Sequence, residues 1–257
     1  GYREGVDDVR YLTTLNAALT EAAGRFPDDP LIADTHAWIR AIDAADGDLD
    51  AIRSEMARRI TALRDLGYHE LTPQEALAEI DLERVDVITF PEPWRFKIDP
   101  DDKGVAQKWF DPALDDNQWP TVRTDKQIGW DKQGFEAVGY GWYRAPLPAV
   151  AVELEGKHTY IYFEGVDEQG WVYLNGTKCH DQTVEVTGLL IEELWLTPFS
   201  VSLTDMDLHG NDLLAVRIHN STSMGGIWKP VHLILSDQAM TSRQLHALIK
   251  LRKAKAE

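Results

Sequence analysis

The sequence predicts a mainly β protein with helical flanks: an antiparallel β-sandwich or jelly roll, preceded by a small helical segment and followed by a C-terminal helix. Three observations carry this. Eight or so short runs rich in aromatic and β-branched residues lie between residues 85 and 236, separated by Gly, Asn, Asp and Pro. Before and after that region, apolar residues instead recur at three- and four-residue steps. At the centre, Trp171 to Leu174 is closed by Asn175-Gly176, the strongest short hairpin signal a sequence offers.

Residues 1–85 read as helical. Val6, Val9, Leu12, Leu15, Leu19 and Ala22 form one stripe, and Pro27-Asp28-Asp29-Pro30 breaks it, with Asp29 placed to cap the next helix. Leu31, Trp38, Ile39, Ile42 and Ala45 make a second helix ended by Gly47. Ile52, Met56, Ile60, Leu63 and Leu66 make a third, with Gly67 at its end. A short fourth begins at Thr72-Pro73-Gln74-Glu75, with cap and first-turn proline in order. These stripes need cover, from one another or from a partner domain.

Strands are expected at Val85 to Phe90, Trp94 to Ile98, Phe135 to Pro146, His158 to Val166, Trp171 to Leu174, Leu194 to Leu203, Leu213 to His219 and Ile227 to Leu235. From Thr241 the helical period returns, and Arg252, Lys253 and Lys255 suit a helix C-terminus. The organisation is therefore a helical segment over 1–85, a β-sandwich over 86–237 and a C-terminal helix over 238–257.

Composition bounds the function. A net charge of −17 argues against nucleic acid and anionic membrane surfaces as partners. Cys179 is the single cysteine, which excludes an intrachain disulfide framework and any multi-Cys zinc site. No apolar run approaches the roughly 20 residues that span a bilayer. The chain opens on Gly1 rather than Met, inside a helical pattern, and is expected to be a piece of something longer.

The β region carries a resemblance. Trp94-Arg95-Phe96-Lys97, Asp99-Pro100, Gly104, Trp109, Asp115-Asp116 and Trp119 open it. Gly141-Trp142-Tyr143-Arg144, Phe163-Glu164-Gly165-Val166-Asp167, Val172 to Gly176, Pro198-Phe199, Gly210 to Arg217 and Gly225 to Val231 follow. Together, over residues 90–236, they resemble the sugar-binding, galactose-binding-like jelly-roll domain of glycoside hydrolase family 2. Separately, Arg3-Glu4-Gly5-Val6-Asp7-Asp8-Val9-Arg10-Tyr11-Leu12 resembles the last barrel helix of glycoside hydrolases related to family 123. The two resemblances imply an accessory module of a carbohydrate-active enzyme whose catalytic barrel is missing from this chain. They also favour a secreted or periplasmic setting.

A glycosidase needs two carboxylates across one sugar subsite. The family resemblance places both on the absent barrel, and Glu192-Glu193 and Asp115-Asp116 read as solvated turns, so no catalytic residue is assigned. Sugar binding instead needs an aromatic face against the C–H side of a pyranose, with planar polar groups for its hydroxyls. Of nine tryptophans, Trp38, Trp94, Trp109, Trp119, Trp142 and Trp171 have structural explanations, whereas Trp130, Trp195 and Trp228 fall at or beside loops. Arg144, His180, Arg217 and Asn220 complete the expected ligand-binding set, and Asp167 and Lys229 offer further polar groups. No cofactor is expected beyond a structural calcium ion, for which Asp99, Asp101 and Asp102 are the candidate ligands. Three readings stay open: a glycan-binding accessory module, a ligand-free interaction domain, and a contributor of substrate contacts to an intact glycosidase.

Overall fold

The computed structural model describes residues 14–16, 18–20, 22–23, 29–42, 49–67, 72–135, 138–149, 156–209, 212–222 and 225–255. The chain divides into two compact units, one of Gly1–Leu71 with Thr187–Leu190 and one of Thr72–Val186 with Ile191–Glu257. The Arg3 to Leu12 stretch that resembles a barrel helix lies outside the described residues, as do Val6, Val9, Ala45 and Gly47.

The first unit holds helices α1 (Pro30–Ile42) and α2 (Leu49–Gly67), with helical residues at 14–16, 18–20 and 22–23. Asp29 accepts the Leu31 amide at 2.9 Å, the N-cap that the Asp-Pro step foreshadows. Leu15, Leu19, Ala22, Ile32, Met56, Ile60 and Leu63 make its core, so the described helical stripes cover one another. Arg59 is buried in that core. It is retained by Asp34 at 2.7 Å, Glu55 at 2.8 Å and the face of Trp38.

The second unit is an antiparallel β-sandwich with helices at its flanks. Its strands are β1 (Val85–Thr89), β2 (Trp94–Asp99), β3 (Thr121–Val122), β4 (Gly139–Pro146), β5 (His158–Phe163), β6 (Val166–Asp167), β7 (Gln169–Leu174), β8 (Thr177–Gln182), β9 (Phe199–Ser202), β10 (Leu213–Asn220), β11 (Gly226–Ile227) and β12 (Val231–Ser236). One sheet runs β1-β12-β5-β9, the other β3-β2-β4-β10-β7-β8, and β11 pairs β6 as a small ribbon. The inward residues of both sheets form one core, including Phe96, Tyr143, Ile161, Phe163, Val172, Leu214, Val216, Ile218, Leu233 and Leu235.

The β7–β8 hairpin turns on Asn175 (φ +49°) and Gly176 (φ +84°), the left-handed pair that the sequence motif announces. Strand β8 is additional to the strands that the sequence pattern predicts. Its Thr-Lys-Cys-His-Asp-Gln sequence is polar because it edges the sheet, where the period-2 pattern fades. The run expected as a strand from Leu194 is a helical turn at Ile191–Leu194, and the strand starts only at Phe199, after Pro198.

Helix α3 (Pro73–Ala76) and the C-terminal helix, Ser242–Ala254, each begin with a full capping box, Thr72/Glu75 and Thr241/Gln244. The C-terminal helix buries Leu245, Leu248 and Ile249 with Tyr160, Tyr162 and Ile234, closing the outer face of the four-stranded sheet.

The outer face of the six-stranded sheet is partly closed by the loop 101–119. Asp99 starts that loop by accepting the Lys103 amide (2.7 Å), the Gly104 amide (2.8 Å) and Trp142 Nε1 (3.0 Å). Only glycine fits at 104, where a Cβ would lie 2.2 Å from Trp142 Nε1. Arg144 then ties the loop down, donating to the Trp109, Asp111 and Leu114 carbonyls and pairing with Asp116 at 2.6 Å. The loop's own Trp109 and Trp119 are buried against Trp142 and Tyr173 of the sheet.

Candidate functional site

The β6–β11 ribbon sets Asp167 opposite Gly226 and brings Trp228 to the same edge, its amide bonded to the Gly165 carbonyl at 3.3 Å. Val166 and Ile227, both buried, pin the ribbon to the core. From the other side, the Ile191–Leu194 turn plants Leu194 inside and projects Trp195 against Trp228, with ring centres 5.8 Å apart and planes at 45°. The segment before β4 adds Gln127 and Gly129. These five residues, Gln127, Gly129, Asp167, Trp195 and Trp228, line a small open cleft.

Its electrostatics are uneven. Glu168 is buried, but its carboxylate accepts from Ser221 N (3.0 Å), Ser221 Oγ (2.9 Å) and Thr222 Oγ1 (3.4 Å). Neighbouring Asp167 is half-buried. Desolvation first, and the charge of Glu168 second, push its carboxyl up to about 7, so near neutral pH it can donate as well as accept. Lys229 lies 4.0 Å over the Trp228 ring, and burial lowers its ammonium below the usual lysine range, helped by Lys253. Trp228 Nε1 is buried with no partner among the described residues.

Of the expected ligand-binding set, Trp195 and Trp228 meet here and the others do not. Trp130 is 0% exposed rather than at the surface: its loop folds back over the sandwich end, and the indole packs on Phe96 (5.4 Å) and Tyr143 (6.3 Å). Gly226, at φ +115°, makes that possible, since a Cβ there would lie 2.2 Å from Tyr143 Oη and 2.9 Å from Trp130. Arg144, 2% exposed, is spent on the 101–119 loop and pairs with Asp116, not with Glu164 or Asp167. Asn220 is fully buried and bonds Thr222 O at 2.7 Å, shaping the end of β10. His180 faces inward at the sandwich edge, stacked on Phe199 at 5.2 Å with Nε2 on Gln182. Arg217 pairs with Asp102 on the outer sheet face, with its guanidinium 3.9 Å from the Tyr140 ring and 4.5 Å from that of Trp171. Gln127 and Gly129 lie outside the expected set, and no local motif marks them.

The candidate calcium ligands do not converge. Asp99 is saturated by the three donors above, Asp101 pairs with Lys103 at 2.6 Å, and Asp102 pairs with Arg217. Among the described residues, no group of three or more His, Cys, Asp or Glu side chains is placed to hold a metal. Of the acidic pairs, Asp116 is bound to Arg144 and Asp115 accepts the Asn117 amide, which makes both structural. No described helix is long and apolar enough to cross a membrane.

No family model and no curated protein matches this chain. Similar solved structures include β-glucuronidase from Ruminococcus gnavus, in complex with N1-substituted uronic isofagomine (16% identity, TM-score 0.49, 61% of this chain and 31% of that one). The same enzyme with D-glucuronic acid (16% identity, TM-score 0.49) matches over 61% of this chain and 30% of its own. Its apo form at 1.7 Å gives the same identity and TM-score. This chain thus spans under a third of that enzyme's length.

Proposed function

We propose that the sandwich unit is a non-catalytic carbohydrate-binding module that serves a carbohydrate-active enzyme and takes glycan weakly in the Trp195/Trp228 cleft. The observation that carries this is the pairing of two half-buried indoles around an open depression with one carboxyl and one carboxamide, Asp167 and Gln127. Indole faces pack against the apolar side of a sugar ring, while a carboxyl and a carboxamide pair with its hydroxyls. The lining contains a single carboxylate, Asp167, and the adjacent Glu168 is buried and fully engaged. A hydrolytic centre needs two facing carboxyl groups roughly 5–10 Å apart, so binding is the better reading of this cleft.

A second reading, a ligand-free interaction domain, draws on the burial of Trp130, Arg144 and Asn220, which shows how much of the aromatic and polar framework holds the fold. A glycan array and affinity electrophoresis on plant, algal and animal glycans separate the two. Retention that is lost in Trp228→Ala or Trp195→Ala and kept in Lys178→Ala establishes the module. Silence across all three glycan classes leaves the scaffold reading.

A further inference from the structure

The lining of the Trp195/Trp228 cleft carries an acid and no base. Among the described residues, the Asp167 carboxyl meets no donor and no cation. Burial and the charge of Glu168 act on it, and both disfavour its ionised form. Glu168 is saturated by Ser221 and Thr222, whereas Asp167 lines open space where a ligand can reach it. Gly226 stands opposite it across the ribbon and adds no side chain. Lys229 lies 4.0 Å over the Trp228 ring, but the charges acting on it are those of Lys253 and Glu164, not Asp167. The indole therefore separates that ammonium from the carboxyl of the cleft. The Trp195 ring is half-buried, has Trp228 as its ring neighbour and carries no cation among the described residues. An uncompensated carboxyl beside an indole suits an organic ammonium, which gains from the charge on one side and the ring quadrupole on the other.

We propose that this cleft selects sugars bearing a free ammonium group, that is, deacetylated amino sugars, over neutral and acidic ones, and that Asp167 sets the preference. The inference rests on the glycan-binding reading above. The pyranose ring brings its C–H face to Trp195 and its ammonium to Asp167, supplying the counter-charge that the lining lacks. Gln127 keeps a carboxamide, both donor and acceptor, for the hydroxyls. An N-acetylated sugar presents the same ring without the charge, and a uronate sets a like charge against Asp167 and Glu168. The pairing also fixes a sign with pH. The groups facing Asp167 are Glu168 beside it, Gln127 from the segment before β4, and the uncharged indoles of Trp195 and Trp228. Only ionised Asp167 pairs with an ammonium, and its carboxyl is pushed up to about 7 in the free chain. Affinity for an ammonium sugar therefore rises from about pH 5 to about pH 7.

The test is a calorimetric titration of the full chain with four probes: a glucosamine trisaccharide, its N-acetylated form, a galacturonate trisaccharide and lysine amide, the last an ammonium without a sugar ring. The expected result at neutral pH is that the glucosamine trisaccharide binds about tenfold more tightly than its N-acetylated form. That ratio shrinks towards about pH 5 in the unaltered chain, a readout that needs no variant to fold. Asp167→Asn brings the two affinities together and removes the pH dependence. Lys178→Ala, which frees Asp181 from a 2.7 Å pair on exposed strand β8, leaves the ratio as it was. The proposal is overturned by equal binding of the charged and acetylated sugars, by tighter binding of the galacturonate, or by lysine amide binding as tightly as the amino sugar. A preference that survives Asp167→Asn also overturns it, since the acidity of the chain as a whole would then be the cause. Binding of the acetylated sugar without any preference strikes this inference and leaves the glycan-binding reading standing. Silence with all three sugars strikes both.

Discussion

The loop over the six-stranded sheet and the cleft at the β6–β11 ribbon are built from the same residue types and end in opposite states. Under the loop, Asp99, Arg144 and Asp116 have every strong bond made within the chain, and the indoles around them are buried. At the cleft, Trp228 Nε1 has no partner among the described residues and Asp167 sits desolvated beside a charge. Tryptophan, aspartate and a cation therefore do not by themselves mark a ligand site. The distinguishing quantity is how completely the chain satisfies them, since a satisfied buried cluster stabilises a unique fold and an unsatisfied one is held open at a cost.

The sharpest way to break this contrast is at the buried framework, at Trp130 over the sandwich end and at Arg144 under the loop. Trp130→Ala removes a fully buried indole and Arg144→Ala strands Asp116 and three carbonyls, so each should cost about 3–5 kcal/mol in urea unfolding. A loss below about 1 kcal/mol for both would mean these groups are not the framework described here.

The next largest effect lies in the cleft and is read through pH. The folded carboxyl of Asp167 titrates near 7, against an ordinary value of 3.8. Between those values the native state holds a proton that the unfolded chain has released, so stability falls as pH rises from about 4 to 7 and is level above. With partial solvent exposure, a loss of about 1–2 kcal/mol is expected. Asp167→Asn should flatten that slope and stabilise the protein at pH 8, measured as urea midpoints across the range. An unchanged slope would show that another group governs it.

Trp228→Ala follows, at about 1 kcal/mol of stability for a half-buried ring, together with loss of any glycan retention. The smallest effect is Lys178→Ala on exposed strand β8, within about 0.5 kcal/mol. A larger value there would mean that the Lys178–Asp181 pair does more than neutralise the outer face.

Much of the fold was legible because local signals agree with it. Asn175-Gly176, the two capping boxes and the alternation along Leu213 to His219 each specify their own geometry. The fate of Trp130 was not legible, because its burial depends on Gly226, nearly a hundred residues later, leaving room for the ring. Arg217 and Asp102 are likewise 115 positions apart, and only the sheet register brings them together. For the candidate site, Trp195 and Trp228 could be singled out as loop tryptophans. Gln127 and Gly129 could not, since a tertiary fold-back and no motif places them beside the ribbon.

The way Arg144 holds the loop has one more consequence. Three of its bonds go to main-chain carbonyls, those of Trp109, Asp111 and Leu114, which every amino acid presents alike. The anchor is therefore largely blind to loop sequence. Side chains along 105–118 can drift while the clasp persists, so relatives of this unit could extend or shorten the shelter over the sheet, and with it the area left bare, without losing the fold beneath.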